Sequence, residues 1–358
     1  THFTIEENAE EKATYVVENY KVNCFAEDTG LLIDELNGEP GVFSARYAGE
    51  QRNNEDNINL VLKKLEGKTN RKAHFKTVIA LHLDGKLYLF EGILNGIKVL
   101  DLSRLLPGPL ATMLMADMGA EIIKIEDPNV PDYTRFMPPH LNGVGVNYLA
   151  LNRNKKSITL NLKTEKGLQQ FYDLVKEADI VVDSFRPGVL AKMKLDYETV
   201  KQYNPKIIYV AVTGYGQDGP YKNMAGHDIN YLAYAGVLGI NGTPDKIMKP
   251  GIQIADIAGG TYPTIIACLA ALWARERTGK GQFVDVAMTD CVMPLLSMQF
   301  GEVLNTNTKL KRGEPMLSGG MANYNVYKCK DEKWLALGSL EPKFWQGVCA
   351  MLGKPDWI

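Results

Sequence analysis

Cysteine is scarce in this chain and carries no pattern: Cys24, Cys268, Cys291, Cys329 and Cys349 are odd in number, scattered and never arranged as Cys-x-x-Cys. That excludes a disulfide framework, argues against a zinc site and fits a reducing, cytoplasmic setting. Charge of one sign is lacking too. With 40 Lys and Arg against 42 Asp and Glu, the net charge of -2 gives no field to gather nucleic acid or a membrane surface, and neither is expected as a partner. Long hydrophobic runs are missing: the longest apolar helical stretch, Thr261 to Ala274, reads as too short to span a bilayer, and no signal peptide is visible. There is no internal repeat and no low-complexity stretch, which excludes a solenoid. The first residue is Thr1 rather than Met, as expected of a processed or shortened chain. What remains is an ordinary globular composition, 45% hydrophobic over 358 residues, enough for two domains with their own cores.

The patterning divides the chain. Over residues 1–92, Glu6 to Tyr20 has helical spacing, and Val22 to Glu35 reads as extended with a turn at Gly30. Asn54 to Glu66 reads as an amphipathic helix burying Ile58, Val61, Leu62 and Leu65, and Ala73 to Leu83 with Lys86 to Phe90 reads as a hairpin across Asp84-Gly85. This segment is α+β. Over 93–290, apolar strands at Ile97 to Leu102, Glu121 to Glu126, Ser157 to Leu162, Asp179 to Asp183 and Lys206 to Val212 alternate with helices such as Glu165 to Ala178. A turn is expected around Pro107-Gly108-Pro109. Such alternation predicts an α/β, Rossmann-like parallel sheet covered on both faces. Residues 291–358 read as a helix, a hairpin from Tyr324 to Leu340 and a helix from Pro342, the start of a smaller α+β domain.

Several segments could carry chemistry, and each also has a purely local explanation. Gly214-Tyr215-Gly216-Gln217-Asp218-Gly219 matches G-x-G-x-x-G after a strand, but Pro220 follows and no apolar helix opens there, so a nicotinamide cofactor is not expected. A glycine loop that admits a ligand to the backbone is. In Gly226-His227-Asp228-Ile229-Asn230-Tyr231, Asp228 or Asn230 could simply cap the following helix, or His227 could transfer a proton near neutral pH. Asp256 before an expected helix Gly259 to Arg275, and Glu341 before Pro342, likewise resemble helix-start residues.

Their surroundings decide between these readings. Asp101-Leu102-Ser103-Arg104, Pro107-Gly108-Pro109, Ala116 to Glu121, Lys124-Ile125-Glu126, Leu151 to Ser157, Arg186-Pro187-Gly188-Val189, the 214–220 loop, Gly279 to Gln282 and Leu340-Glu341-Pro342 occur in order. This series resembles the family III CoA-transferases and α-methylacyl-CoA racemases. The resemblance implies His227 and Asp256 as acid and base on opposite faces of an α-carbon, or Asp256 as a covalent carboxylate in a transferase, with Glu341 supporting the pair. It further implies that Leu160, Asn161, Leu162, Lys163, Gly214, Gly216, Gly226, Asp228, Ile229, Asn230 and Tyr231 line the CoA thioester site, with Arg186 near the CoA phosphates. Asp127 stands where the racemases commonly carry an arginine. No metal or redox cofactor is implied, CoA enters as part of the substrate, and a homodimer is expected. The family's small domain continues past the point matching Ile358, so residues 291–358 are expected to be a truncated one.

The first segment is similar to a different family. Glu7-Asn8-Ala9 with Lys12-Ala13, Phe25 to Leu31, Gly38-Glu39-Pro40-Gly41 and Ser44 to Gly49 resemble the inosine/xanthosine triphosphate pyrophosphatases. That likeness implies Asp28 and Glu7 near a Mg²⁺ and Lys12 and Thr29 near nucleotide phosphates, if the segment is active; its missing cleft segments point to a fused remnant. For the whole chain the expectation is an α-methylacyl-CoA racemase. The alternatives are CoA transfer through Asp256, or an inert fused fragment with at most residual non-canonical purine triphosphate hydrolysis.

Overall fold

A computed structural model describes residues 2–70, 73–91, 94, 96–306 and 308–358. The segment boundary expected at Gly92 lies outside the described residues. The chain packs as two units, Thr1–Val212 with Thr264–Asp285, and Thr213–Pro263 with Val286–Ile358.

The first unit opens with the helix Ile5–Tyr20, capped by Thr4, whose hydroxyl accepts the Glu7 amide. Ile5, Ala9 and Ala13 pack with Val78 and Ala80 on an antiparallel sheet ordered Pro40–Gly41, Cys24–Ile33, Ala73–Leu83, Lys86–Glu91. The hairpin at Asp84-Gly85 is present, with Leu83 opposite Lys86. The expected turn at Gly30 is not: Gly30 lies inside a continuous strand opposite Lys76. A Cβ there would sit 2.4 Å from the Gly41 carbonyl oxygen, so the glycine serves close strand approach rather than reversal. The helix Asn54–Lys64 also departs from its pattern, because Leu65 is buried but Ile58 and Leu62 are exposed. The small neighbouring core of Ile33, Leu36 and Leu65 reaches only one edge of that helix.

A six-stranded sheet follows, ordered Gln282–Ala287, Ile208–Thr213, Ile180–Asp183, Lys98–Asp101, Glu121–Glu126, Lys156–Thr159. Pairings from Ile208–Thr213 across to Lys156–Thr159 are parallel. Numbered along the chain, the order is 6-5-4-1-2-3, the doubly wound arrangement whose switch point lies between Lys98–Asp101 and Ile180–Asp183. Phe171, Tyr172 and Val175 of the helix Glu165–Glu177 fill the core with Leu100, Val181, Ile207 and Tyr209. The expected turn at Pro107 is instead the start of the helix Pro107–Asp117, since a first-turn proline has no amide to lose.

Two observations extend the apolar stretch near Thr261. A π-helical turn, Ala255–Thr261, runs directly into the helix Tyr262–Thr278. Together they form one 24-residue segment long and apolar enough to cross a membrane, which corrects the expectation of a run too short to do so. Thr264, Ile265, Cys268 and Ala271 are buried and Arg275 pairs with Asp179 at 2.8 Å, while Tyr262, Ile266, Leu269 and Trp273 are exposed. The second unit adds the hairpin Tyr324–Lys328/Trp334–Gly338 and the helix Pro342–Met351, both as expected.

Charges buried under the switch point hold its loops. Lys155 Nζ lies 2.9 Å from Asp101 Oδ2 and 2.8 Å from the Pro109 carbonyl; Lys124 Nζ lies 2.9 Å from the Ser103 carbonyl, 3.9 Å from Asp101 and 3.7 Å from Asp132. Burial pushes the Asp101 carboxyl up, but Lys124, Lys155 and the Ser103 and Thr112 hydroxyls outweigh it and hold it well below the usual range. Burial lowers the Lys155 ammonium to about 8 despite Asp101. Lys124→Met would leave two buried carboxylates short of a cation, and urea unfolding should show a loss of about 3–5 kcal/mol. Adding Asp132→Asn should recover part of it.

Candidate functional site

In the second unit, the strand ending at Thr213 delivers a chain bend built on one aromatic ring. Tyr231 is packed between Gly214 and Gly226: a Cβ on either would lie 2.2 or 2.6 Å from its ring, and its hydroxyl donates to the Gly226 carbonyl at 2.5 Å. Gly214 is therefore used for packing, and its carbonyl accepts the Thr289 hydroxyl at 2.7 Å. The amide of Gly216 donates to Thr213 Oγ1 at 3.1 Å. No helix opens after this loop until Asp228–Tyr234, so the dinucleotide context is absent, as expected.

His227 is the N-cap of that helix. Its amide donates to Asn230 Oδ1 at 3.0 Å, and its backbone carbonyl accepts the Asn230 amide at 2.8 Å. His227, Ile229 and Asn230 are exposed, while Asp228 is half-buried. Asp228 does not cap its own helix; its Oδ1 accepts the backbone amide of Asp256 at 3.0 Å. Asp256 in turn lies inside the π-helical turn, not ahead of a helix, and makes no capping bond. The two segments that carry the expected acid and base are thus joined by one hydrogen bond. Burial raises the Asp256 carboxyl to about 7, with the Asp228 charge adding to it. A carboxyl poised there can give or take a proton at neutral pH. Glu341 is exposed at the N-cap of Pro342–Met351, where its carbonyl accepts the Phe344 amide, and no described contact links it to His227 or Asp256.

The remaining expected CoA residues belong to the first unit. Arg186 is exposed on the loop after Ile180–Asp183, at the C-terminal edge of the sheet, where open α/β sheets bind ligands. Across the switch point Arg104 lies with its guanidinium 5.2 Å from the Phe185 ring centre, and its amide donates to Ser184 Oγ at 3.0 Å. Among the described residues neither arginine has a carboxylate partner. Arg104 was not among the expected site residues, although the Asp-Leu-Ser-Arg segment on the first sheet strand was signal enough to find it. Buried Asp183 accepts the Phe185 amide at 2.8 Å and so fixes this loop; burial raises its carboxyl to about 7. Leu160 to Lys163 follow the edge strand Lys156–Thr159; Leu160 and Leu162 are buried, and Lys163 faces Asp127 at 3.5 Å, so that part of its charge is already answered.

In the N-terminal segment Asp28 is bonded to Lys12 at 2.5 Å, Thr29 Oγ1 donates to Glu27 at 3.3 Å, and Glu7 accepts the Thr4 hydroxyl at 2.8 Å. Among the described residues no group of three or more His, Cys, Asp or Glu is placed to hold a metal.

The model of CoA-transferase family III matches residues 94–358. The chain belongs to that family. The Ham1 family model matches residues 1–101, which places the expected pyrophosphatase-like segment. Among curated relatives, this family III chain is 37% identical over 267 residues to succinyl-CoA:glutarate CoA-transferase of Homo sapiens, covering 74% of this chain and 60% of that protein. It is 35% identical over 262 residues to alpha-methylacyl-CoA racemase of Mus musculus, covering 73% and 65%. The chain therefore spans under two thirds of the length of these relatives. A crystal structure of a CAIB/BAIF family protein from Brucella suis superposes with a TM-score of 0.66 at 35% identity, covering 73% of this chain and 70% of that one.

Two outcomes test this description of the family III chain. Arg104→Ala and Arg186→Ala should each weaken CoA binding, measured calorimetrically, by roughly 1–3 kcal/mol through loss of a charge-assisted contact. Inosine triphosphate should be hydrolysed no faster by the wild type than by Asp28→Ala; magnesium-dependent turnover lost in the variant would make the first segment a working domain.

Proposed function

We propose that the chain epimerises 2-methyl-branched acyl-CoA thioesters by two-base proton transfer, with His227 and Asp256 serving opposite faces of the α-carbon. One observation carries this reading: the Asp228–Asp256 hydrogen bond ties the histidine segment to a carboxyl whose titration is centred near neutrality. Inversion next to a thioester needs one group to remove the α-proton and another to return a proton from the opposite side. An imidazole and a carboxylic acid do this when one proton is shared between them.

A second reading, CoA transfer through an acyl group on Asp256, is favoured by the transferase names of several relatives at comparable identity. It requires the ionised carboxylate, and it gives His227 no evident task.

Incubation with a 2-methylacyl-CoA in D₂O separates the two. Deuterium at the α-carbon supports epimerisation; CoA passing to a free acid without exchange, with hydroxylamine trapping an acyl group on Asp256, supports transfer. His227→Ala should suppress exchange from one epimer more than from the other, and Asp256→Asn the reverse. The carboxyl acts as the acid only while protonated, so the direction in which His227 takes the proton should slow as pH rises through about 7, and this limb should vanish in Asp256→Asn.

A further inference from the structure

Tyr215 sits directly beside the His227 segment. Its ring is held edge-on by Tyr231 at 5.2 Å and Tyr234 at 5.4 Å, with Tyr221 at 6.0 Å. Its hydroxyl is buried and has no hydrogen-bond partner among the described residues. The neighbouring Tyr231 hydroxyl, in contrast, is bonded to the Gly226 carbonyl. A buried hydroxyl left without a partner costs about 1–3 kcal/mol, and a group kept in that state in a folded protein calls for an explanation. Its position supplies one: a Cβ built on Gly226 would lie only 3.1 Å from the Tyr215 oxygen, so the hydroxyl abuts the residue that precedes His227. Burial, with Tyr234 beside it, raises the phenol above its ordinary value, so it remains an O–H donor at neutral pH. Two of the rings packed beside Tyr215, those of Tyr221 and Tyr234, are themselves half-exposed.

We propose that the Tyr215 hydroxyl is a catalytic hydrogen-bond donor to the thioester carbonyl oxygen of the bound acyl-CoA. The proposal rests on the reading that this site takes acyl-CoA thioesters, but not on which reaction follows. Removal of the α-proton places negative charge on that oxygen as an enolate, and attack by Asp256 places it there as a tetrahedral oxyanion. A fixed donor that has no partner beforehand loses nothing when it turns to the substrate, and donors so preorganised act chiefly on the transition state.

The test uses 2,2-dimethylpropanoyl-CoA labelled with ¹³C at the carbonyl, which has no α-proton to exchange. Bound to the wild type, its carbonyl stretch should fall below the solution frequency, and Tyr215→Phe should abolish the fall while binding the thioester equally well. In the free protein Tyr215→Phe should keep or raise the thermal midpoint, because no bond is lost, whereas Tyr231→Phe should lower it. With a reactive 2-methylacyl-CoA, kcat should drop about 10²-fold in Tyr215→Phe at unchanged KM. Binding with the same carbonyl frequency in both proteins overturns the assignment of Tyr215 alone. A lowered midpoint in Tyr215→Phe does so too, since the hydroxyl then has a partner at rest. Failure of the wild type to bind the thioester overturns the acyl-CoA reading and the proposal with it.

Discussion

The carboxylate of Asp101, wholly buried and faced by two ammonium groups, is the constraint on which the parallel-sheet body depends. A charge in that position is tolerable only when its partners are fixed, and here they are fixed by elements far apart in the chain. Lys124 comes from the adjacent sheet strand, Lys155 from the turn before the edge strand, and Asp132 from the connection between them. Through them the loop Leu102 to Leu106 is tied at nearly every step: Ser103 by Asp101 and Lys124, Arg104 by Ser184, Leu105 by Asp132. The loop that presents Arg104 is thus held by the protein interior and not by its own short sequence.

Much of this fold was legible because it follows from period and punctuation. The strands of the parallel sheet are short apolar runs between helices, and the hairpin at Asp84-Gly85 is a two-residue turn of the expected kind. Two of the misses share a cause: a residue's local preference was overruled by its tertiary surroundings. Gly30 reads as a turn but is required by the carbonyl of Gly41; Ile58 and Leu62 read as buried but meet no covering surface. Pro107 reads as a turn, yet the same fixed backbone angle begins a helix. In the candidate site, His227 and Asp256 were legible through motif resemblance. The bond between Asp228 and Asp256 was not, because nothing in a linear sequence marks a side chain that satisfies an amide 28 residues on. Tyr215 was equally invisible: an unpartnered hydroxyl is a property of its surroundings.

The junction between the two family segments has its own physical signature. Their matches overlap at residues 94–101, which includes the first strand of the parallel sheet, Lys98–Asp101. Two contacts bear on how the segments meet: the amide of Leu94 donates to the Met118 carbonyl at 2.6 Å, and Asn154 Nδ2 donates to the Ala73 carbonyl at 3.1 Å. The antiparallel sheet has its own apolar core with the helix Ile5–Tyr20.

The π-helical turn at Ala255–Thr261 holds one residue more per hydrogen-bonded ring than the helix it feeds. Loss of one residue from Ile257 to Gly260 would leave a regular helix of nearly the same length, with its apolar faces intact. The wider ring is what absorbs that residue, so the flanking segments would keep their faces and only the residues of the turn itself would be re-spaced. Asp256 lies within the turn, and its bond to Asp228 depends on that spacing. In genealogical terms, one codon separates a chain that holds this carboxyl beside Asp228 from one that keeps the architecture without that spacing.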